Sequence, residues 1–219
     1  SFAQQFARDH GGSICAMGFR VKDAAKAFRR ALELGATAGP STAGPMELNI
    51  PSIRGIGDSL IYLVDRYGAS SIYDVDFLPV ETNDEVDSPG LQLIDHLTHN
   101  VARGNMDVWS GFYERLFNFR EIRYFDIEGQ KTGLLSRAMT SPCGKIRIPI
   151  NESQDDKSQI EEYMREDRGG GIQPIALATA DMYRTLQRLR AGCVVFTNPT
   201  ESYHLRRPPL ESGHSRHSH

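Results

Sequence analysis

Three stretches of the chain share one pattern: a short apolar run, a capping residue, then apolar positions at helical spacing. At 14–36 the run ICAMGFRV leads to Asp23 and then to Ala24, Ala27, Phe28, Ala31 and Leu32. Positions spaced i, i+3, i+4, i+7 and i+8 fall on one helix face. Asp is a favoured N-cap, and Gly35 suits the place just past a helix end. At 94–117 the run IDHLTHNV leads to Asn105 as cap and to a face of Trp109, Phe112, Tyr113, Leu116 and Phe117. At 172–193 IQPIALAT leads to Asp181 as cap, to Met182, Leu186 and Leu189 as the buried face, and to Gly192 as the stop. The strand runs start at Ile14, Ile94 and Ile172, so the steps are 80 and 78 residues. Near-equal steps mark an internal repeat.

The segments after each helix extend the unit. After the middle helix come FREIRYFDIE, TGLLSRAMT and GKIRIPI, separated by the turn signals EGQ and SPCG. Ile146, Ile148 and Ile150 alternate with Lys145, Arg147 and Pro149, as in a half-buried strand. After the first helix PMELNI, SLIYLVD and IYDVDFLPV are expected to form strands in the same way. The unit is one strand, one helix and three strands, and the expected class is α+β. Tandem βαβββ modules side by side make a cup around a site, a plan that resembles the vicinal-oxygen-chelate (glyoxalase-like) fold. The acidic, Pro-Gly punctuated stretch 81–92, ETNDEVDSPGLQ, reads as a linker. Only 13 residues precede the first strand and 48 run from Ile172 to the end, so the expected set of modules is incomplete at both ends.

Composition narrows the class. The chain has 219 residues, 39% hydrophobic and 24% charged, with a formal net charge of −3. That balance gives no basic surface for nucleic acid or an anionic membrane. No apolar run approaches the roughly 20 residues that span a bilayer. The opening SFAQQFARDHGG has neither the basic nor the apolar region of a signal peptide. Cys15, Cys143 and Cys193 form no CxxC pair and are odd in number, which points to a reduced, cytoplasmic setting.

The seven histidines lie at 10, 96, 99, 204, 214, 217 and 219. On a strand, His96 and His99 point to opposite faces, so at most one of them serves a given metal site. A lone strand histidine is more often a hydrogen-bonded core or rim residue than a ligand, although the Asp95–His96 pair on a cup-forming strand narrows that gap. His10 and His204 read as surface residues. The tail ESGHSRHSH is too poor in apolar residues to order itself, and its histidines are expected to have no function.

Longer phrases carry a specific resemblance. LIDHLTHNV, FYERLFNFREIRYFDIEGQKTGL, SRAMTSPCGKIRIPINE, SQIEEYM and GGGIQPIAL run in order with natural spacing. They resemble the catalytic domain of the bacterial 4-hydroxyphenylpyruvate dioxygenase family. CAMGFRVKDAAKAFRRALELGA, GPMELNIPSIRGIGDSLIYLVDRYG and SSIYDVDFLPVE are similar to the second half of that family's N-terminal domain. The resemblance covers about residues 1–203. It implies 1–80 as the second half of an N-terminal domain, 81–92 as linker, 93–203 as the start of the C-terminal catalytic domain, and 204–219 as a disordered tail. It also implies non-haem Fe(II) chemistry of tyrosine catabolism, in which 4-hydroxyphenylpyruvate and O2 give homogentisate and CO2. Two His and one Glu hold such an iron on one face and leave room for the keto acid and O2.

Carried over residue by residue, His96 matches the first iron ligand, expected to point toward Ser136 or Asn151 with His99 turned away. Ser136, Asn151 and Gln173 match positions that line the substrate pocket. Read without the resemblance, Ser136 is a small strand residue, Asn151 a turn former and Gln173 a strand-end residue. The chain departs from the family at the second ligand, where GIQPIA places Pro174 in the histidine slot. A proline ring nitrogen has no lone pair to give. The third ligand, a Glu, is expected beyond residue 219. After Tyr203 the resemblance stops, and the helix at 181–192 is one residue shorter than its counterpart at 23–35. The expectation is an enzyme by family whose chain does not hold Fe(II) stably, an inactive fragment. Its partners would be 4-hydroxyphenylpyruvate and O2, with neither nucleic acid nor membrane and with room for a homo-oligomer. The alternatives are a non-catalytic remnant or metal-free binding module of the same fold, and 4-hydroxymandelate synthase.

Overall fold

The computed structural model describes residues 1–41, 43, 44, 47–80, 88–122, 134–154, 156 and 158–196. The described residues fall into two compact units, one drawn from 1–86 and 92–178, the other from 87–91 and 179–219.

The first unit opens with a helix absent from the sequence reading, α1 (Phe2–His10). Ser1 and Gln4 form a capping box, each side chain serving the other's backbone. At its far end His10 Nδ1 lies 2.8 Å from the carbonyl oxygen of Asp167. With 11% of its side chain exposed, His10 is a docking residue and not the surface residue expected. Strand β1 (Ala16–Arg20) then leads into α2 (Ala24–Glu33). The Asp23 carboxylate accepts the Lys26 N–H at 2.7 Å, and Asp65 accepts that of Ala24 at 2.9 Å. Gly35, at φ +89°, lies just past the helix end as expected.

Among the described residues, two of the three strands expected after α2 do not form. Strand β2 (Ser52–Arg54) comes after the PMELNI phrase, whose described residues 47–50 lie in no strand. The central strand is β3 (Leu60–Val64), giving the order β1-β3-β2, with β1 parallel and β2 antiparallel to β3. Within IYDVDFLPV, Tyr73–Asp76 is a single helical turn, α3, and 77–80 form no strand. The acidic side chains explain the change. Asp74 accepts the Ser71 N–H at 2.6 Å and Asp76 that of Leu48 at 3.2 Å, so local side-chain bonds take donors that a ladder would use.

Among the described residues the middle module has one strand, one helix and three strands: β4 (Leu91–Val101), α4 (Met106–Phe117), β5 (Arg120–Ile122), β6 (Leu134–Thr140) and β7 (Arg147–Ser153). Residues 123–133, with the rest of FREIRYFDIE and the EGQ turn, lie outside the described residues. No helix lies among the described residues between Arg120 and Asn151. Asn105 occupies the N-cap position, but its side chain makes no capping bond. The buried Glu152 carboxylate does so from β7, accepting the Met106 N–H at 2.9 Å at the positive end of the helix. Glu152→Ala should therefore cost about 1–2 kcal/mol in a urea unfolding titration. Asn105→Ala should cost a few tenths, and the reverse ranking would place the cap back on Asn105.

Helix α5 (Gln159–Glu166) comes next, capped by Ser158 on the Glu161 N–H, and then β8 (Gly171–Thr179). Among the described residues the second sheet has the order β5-β6-β7-β4-β8. One core joins both sheets: Phe19 and Ile61 pack with Tyr113, Phe119, Met139 and Ile150. Phe19 meets Phe117 edge-on, with ring centroids 5.1 Å apart. Segments on both sides of the 81–92 stretch thus share one apolar interior.

In the second unit α6 (Met182–Ala191) is capped by Asp181, which accepts the Arg184 N–H at 3.1 Å. Its inward residue is Thr185, whose hydroxyl lies 2.6 Å from that of Thr179. Met182, expected inside, is 63% exposed. Gly192 ends the helix at φ −82°, and the left-handed residue is Cys193. No helix of the described residues is long and apolar enough to cross a membrane.

Candidate functional site

Alternation along β4 sorts its polar residues. His99 is fully buried on the α4 side, its Nε2 lying 2.6 Å from the Tyr113 hydroxyl. Burial away from water lowers its pKa to about 3, the carbonyls of Thr98 and Leu97 opposing the shift only in part. The same burial pushes the Tyr113 hydroxyl far above its ordinary range. His96 and Asn100 take the opposite face. Asn100 is paired with Asn151 of β7, and Asn151 in turn with Ser136 of β6.

That register draws four polar side chains from four adjacent strands into one row. Ser136 Oγ donates to Asn151 Oδ1 at 2.8 Å, and Asn100 Nδ2 donates to Gln173 Oε1 at 2.5 Å. The row contains all three residues that the family resemblance matches to the substrate pocket. Asn151 closes a strand pair and is no turn former. Asn100 is the addition. Its signal lay in IDHLTHNV, where any strand that turns His96 to one face turns Asn100 to the same face.

His96 is not drawn into the row. It stands four residues along β4, in register with Arg147. Its Nδ1 lies 2.8 Å from Asp95 Oδ2, and Arg147 Nη1 lies 2.6 Å from the other carboxylate oxygen. The hydrogen bond from His96, with help from Arg147, holds the Asp95 pKa below the usual carboxylate range. This pairing leaves His96 Nε2 for another partner, as an imidazole ligand requires. The neighbouring strand β8 offers Pro174, which has no donor atom to share in its ring. Among the described residues no three His, Cys, Asp or Glu side chains gather where a metal could be held. One imidazole does not make a two-His-one-carboxylate face. The described residues do not fit a bound ferrous ion.

Residues 93–204 match the family model described as the Glyoxalase/Bleomycin resistance protein/Dioxygenase superfamily. The chain belongs to that superfamily. Residues 1–78 match the model for the N-terminal part of hydroxyphenylpyruvate dioxygenase. The chain is 61% identical to a 4-hydroxyphenylpyruvate dioxygenase of Pseudomonas aeruginosa over 211 residues, covering 96% of this chain and 59% of that protein. It is 58% identical to hemolysin VllY of Vibrio vulnificus over 217 residues, covering 98% of this chain and 61% of that one. Among solved structures it resembles a xylose isomerase-like TIM barrel/4-hydroxyphenylpyruvate dioxygenase fusion protein. That match has a TM-score of 0.68 and 33% identity, over 87% of this chain and 29% of the other. The chain spans about 60% of the length of the curated relatives it matches. The superfamily and the mixed α+β architecture agree with the vicinal-oxygen-chelate plan read from the repeat.

Proposed function

We propose that the whole protein is a 4-hydroxyphenylpyruvate dioxygenase. It would take 4-hydroxyphenylpyruvate and O2 to homogentisate and CO2 with Fe(II), in the cytoplasm. The 219 residues would contribute the substrate-facing sheet, with 1–80 from an N-terminal domain and 93–203 from the catalytic one. The observation that carries this reading is the row Ser136–Asn151–Asn100–Gln173, a line of polar groups on the face of the sheet opposite α4. Such a line can orient the oxygens of a small keto acid while the flanking strands contact its ring. His96 would be the first metal ligand, held in orientation by Asp95. Pro174 favours a second reading for this chain taken by itself, in which it binds the same ligand without iron chemistry.

Titrating the isotope-labelled chain with 4-hydroxyphenylpyruvate should shift the side-chain amide signals of Asn151 and Gln173, and pyruvate alone should shift them far less. An unmoved row at millimolar ligand would sink the substrate assignment. Anaerobic loading with Fe(II), desalting and metal analysis then separate the two readings. We expect far less than one iron per chain and no homogentisate on exposure to air. Stoichiometric iron with homogentisate would reject the iron-free reading and reveal a ligand set that includes residues beyond those described.

A further inference from the structure

The polar row has a direction. An amide side chain has an acceptor end and a donor end of nearly equal shape, so whichever end the protein engages decides what the other end offers a ligand. At Gln173 the engaged end is Oε1, which accepts from Asn100 Nδ2 at 2.5 Å. At Asn151 the engaged end is Oδ1, which accepts from Ser136 Oγ at 2.8 Å. Both acceptors are therefore used within the row, and both NH2 groups remain. Among the described residues neither Asn151 Nδ2 nor Gln173 Nε2 meets an acceptor. The two ends of the row differ in how firmly they are held. Ser136 and Gln173 are exposed, whereas Asn100 is 1% exposed. Burial on β4, flanked by β7 and β8, fixes Asn100, and Asn100 then fixes Gln173.

We propose that Asn100 is a positioning residue that sets the donor polarity of this face. The row presents paired amide N–H groups and so takes an oxygen-rich, acceptor-bearing ligand group, a carboxylate or keto oxygen. This rests on the substrate reading above only for the identity of the ligand, because the polarity itself is a property of the free chain. Asn100 touches no ligand in this scheme and acts through Gln173.

The polarity can be tested on the wild-type chain without ligand or metal. A scalar coupling across the hydrogen bond from Asn100 Nδ2 to the Gln173 side-chain carbonyl carbon is expected in the labelled protein. Coupling in the opposite sense, from Gln173 Nε2 to the Asn100 carbonyl carbon, would overturn the proposal. So would the absence of any coupling, with both amides in free exchange with water. Two variants carry the test to binding. Asn100→Asp can only accept at the buried position, which turns Gln173 Nε2 inward and its oxygen outward. Gln173→Glu lies on an exposed position and keeps an acceptor for Asn100 while replacing the outward NH2 by oxygen. Each should weaken 4-hydroxyphenylacetate, used as a metal-independent anionic probe, by about tenfold or more. Gln173→Glu should also strengthen binding of the cationic probe tyramine, with an unchanged melting temperature. A merely structural residue would not reverse the preferred charge in this way. Wild-type affinity for both probes in Gln173→Glu would overturn the proposal even if Asn100→Asp failed to fold. The predicted coupling with no binding of 4-hydroxyphenylpyruvate or 4-hydroxyphenylacetate would support the polarity and refute the substrate reading alone.

Discussion

Acidification from pH 6.5 toward pH 3 should destabilise this protein by roughly 1.4 kcal/mol per pH unit through His99 alone. In the unfolded chain an imidazole protonates near its ordinary pKa of about 6.5. In the folded chain burial depresses the His99 pKa to about 3, so the native ring stays neutral through that window. The unfolded state then binds the extra proton, and stability falls as pH falls, levelling off once the folded ring also protonates. Carboxylates join in below about pH 5, so the diagnostic interval lies between about pH 6.5 and 5. Urea unfolding at several values in that interval should show the slope. His99→Phe should lose most of it while starting from a lower stability, because Tyr113 would be left with a buried hydroxyl and no partner. A variant that keeps the full wild-type slope would mean that other groups control acid unfolding. Tyr113 acts with the opposite sign. Burial raises its folded pKa above the unfolded value near 10, so the neutral hydroxyl contributes stability below pH 10 that is lost as pH climbs beyond it.

The elements that proved legible in the sequence are those whose signals are local. Asp23 and Asp181 both cap the helices assigned to them. In the middle module the SPCG turn forms where its Pro and Gly put it, the Gly144 N–H donating to the Ser141 carbonyl at 2.8 Å, whereas the EGQ turn lies outside the described residues. Helices α1 and α5 also carried local signals, Ser1 with Gln4 and Ser158 with Glu161, but neither begins with an obvious apolar stripe. What the sequence hid was long-range. The cap of α4 comes from Glu152, 46 residues away, which no reading of Asn105 could reveal. His10 reads as surface until Asp167 is folded against it, 157 residues along the chain. Three residues of the polar row were found through resemblance. The fourth, Asn100, needed only the strand alternation already applied to His96 and His99. Placing Ser136, Asn151, Asn100 and Gln173 in one line needed the strand order, which periodicity does not encode.

The largest effect expected from one methyl group is at Gly57. This residue sits in the turn Ile56–Asp58 with φ +55° and ψ 42°, the left-handed region. A Cβ there would lie 1.8 Å from the carbonyl oxygen of Gly170 and 2.9 Å from its carbonyl carbon, both backbone atoms that cannot swing aside. Gly57→Ala therefore combines about 1–2 kcal/mol for a left-handed alanine with about 1–3 kcal/mol for overpacking. Gly68 provides the control. It too has a positive φ, +91°, but a Cβ there meets nothing within 4 Å, so Gly68→Ala should cost the conformational part alone. The two variants should thus separate in unfolding free energy by at least about 1 kcal/mol. The same corner bears on the polar row. Gly170 immediately precedes β8, and a Cβ on Gly170 itself would meet the Asn100 carbonyl oxygen at 2.9 Å, so this corner sets how close β8 lies to β4. Pushing the corner out by Gly57→Ala should lengthen the Asn100–Gln173 hydrogen bond and weaken the coupling across it, whereas Gly68→Ala should leave that bond unchanged. Equal unfolding free energies for the two variants, or an undisturbed Asn100–Gln173 bond in Gly57→Ala, would show that the corner yields without moving the strand.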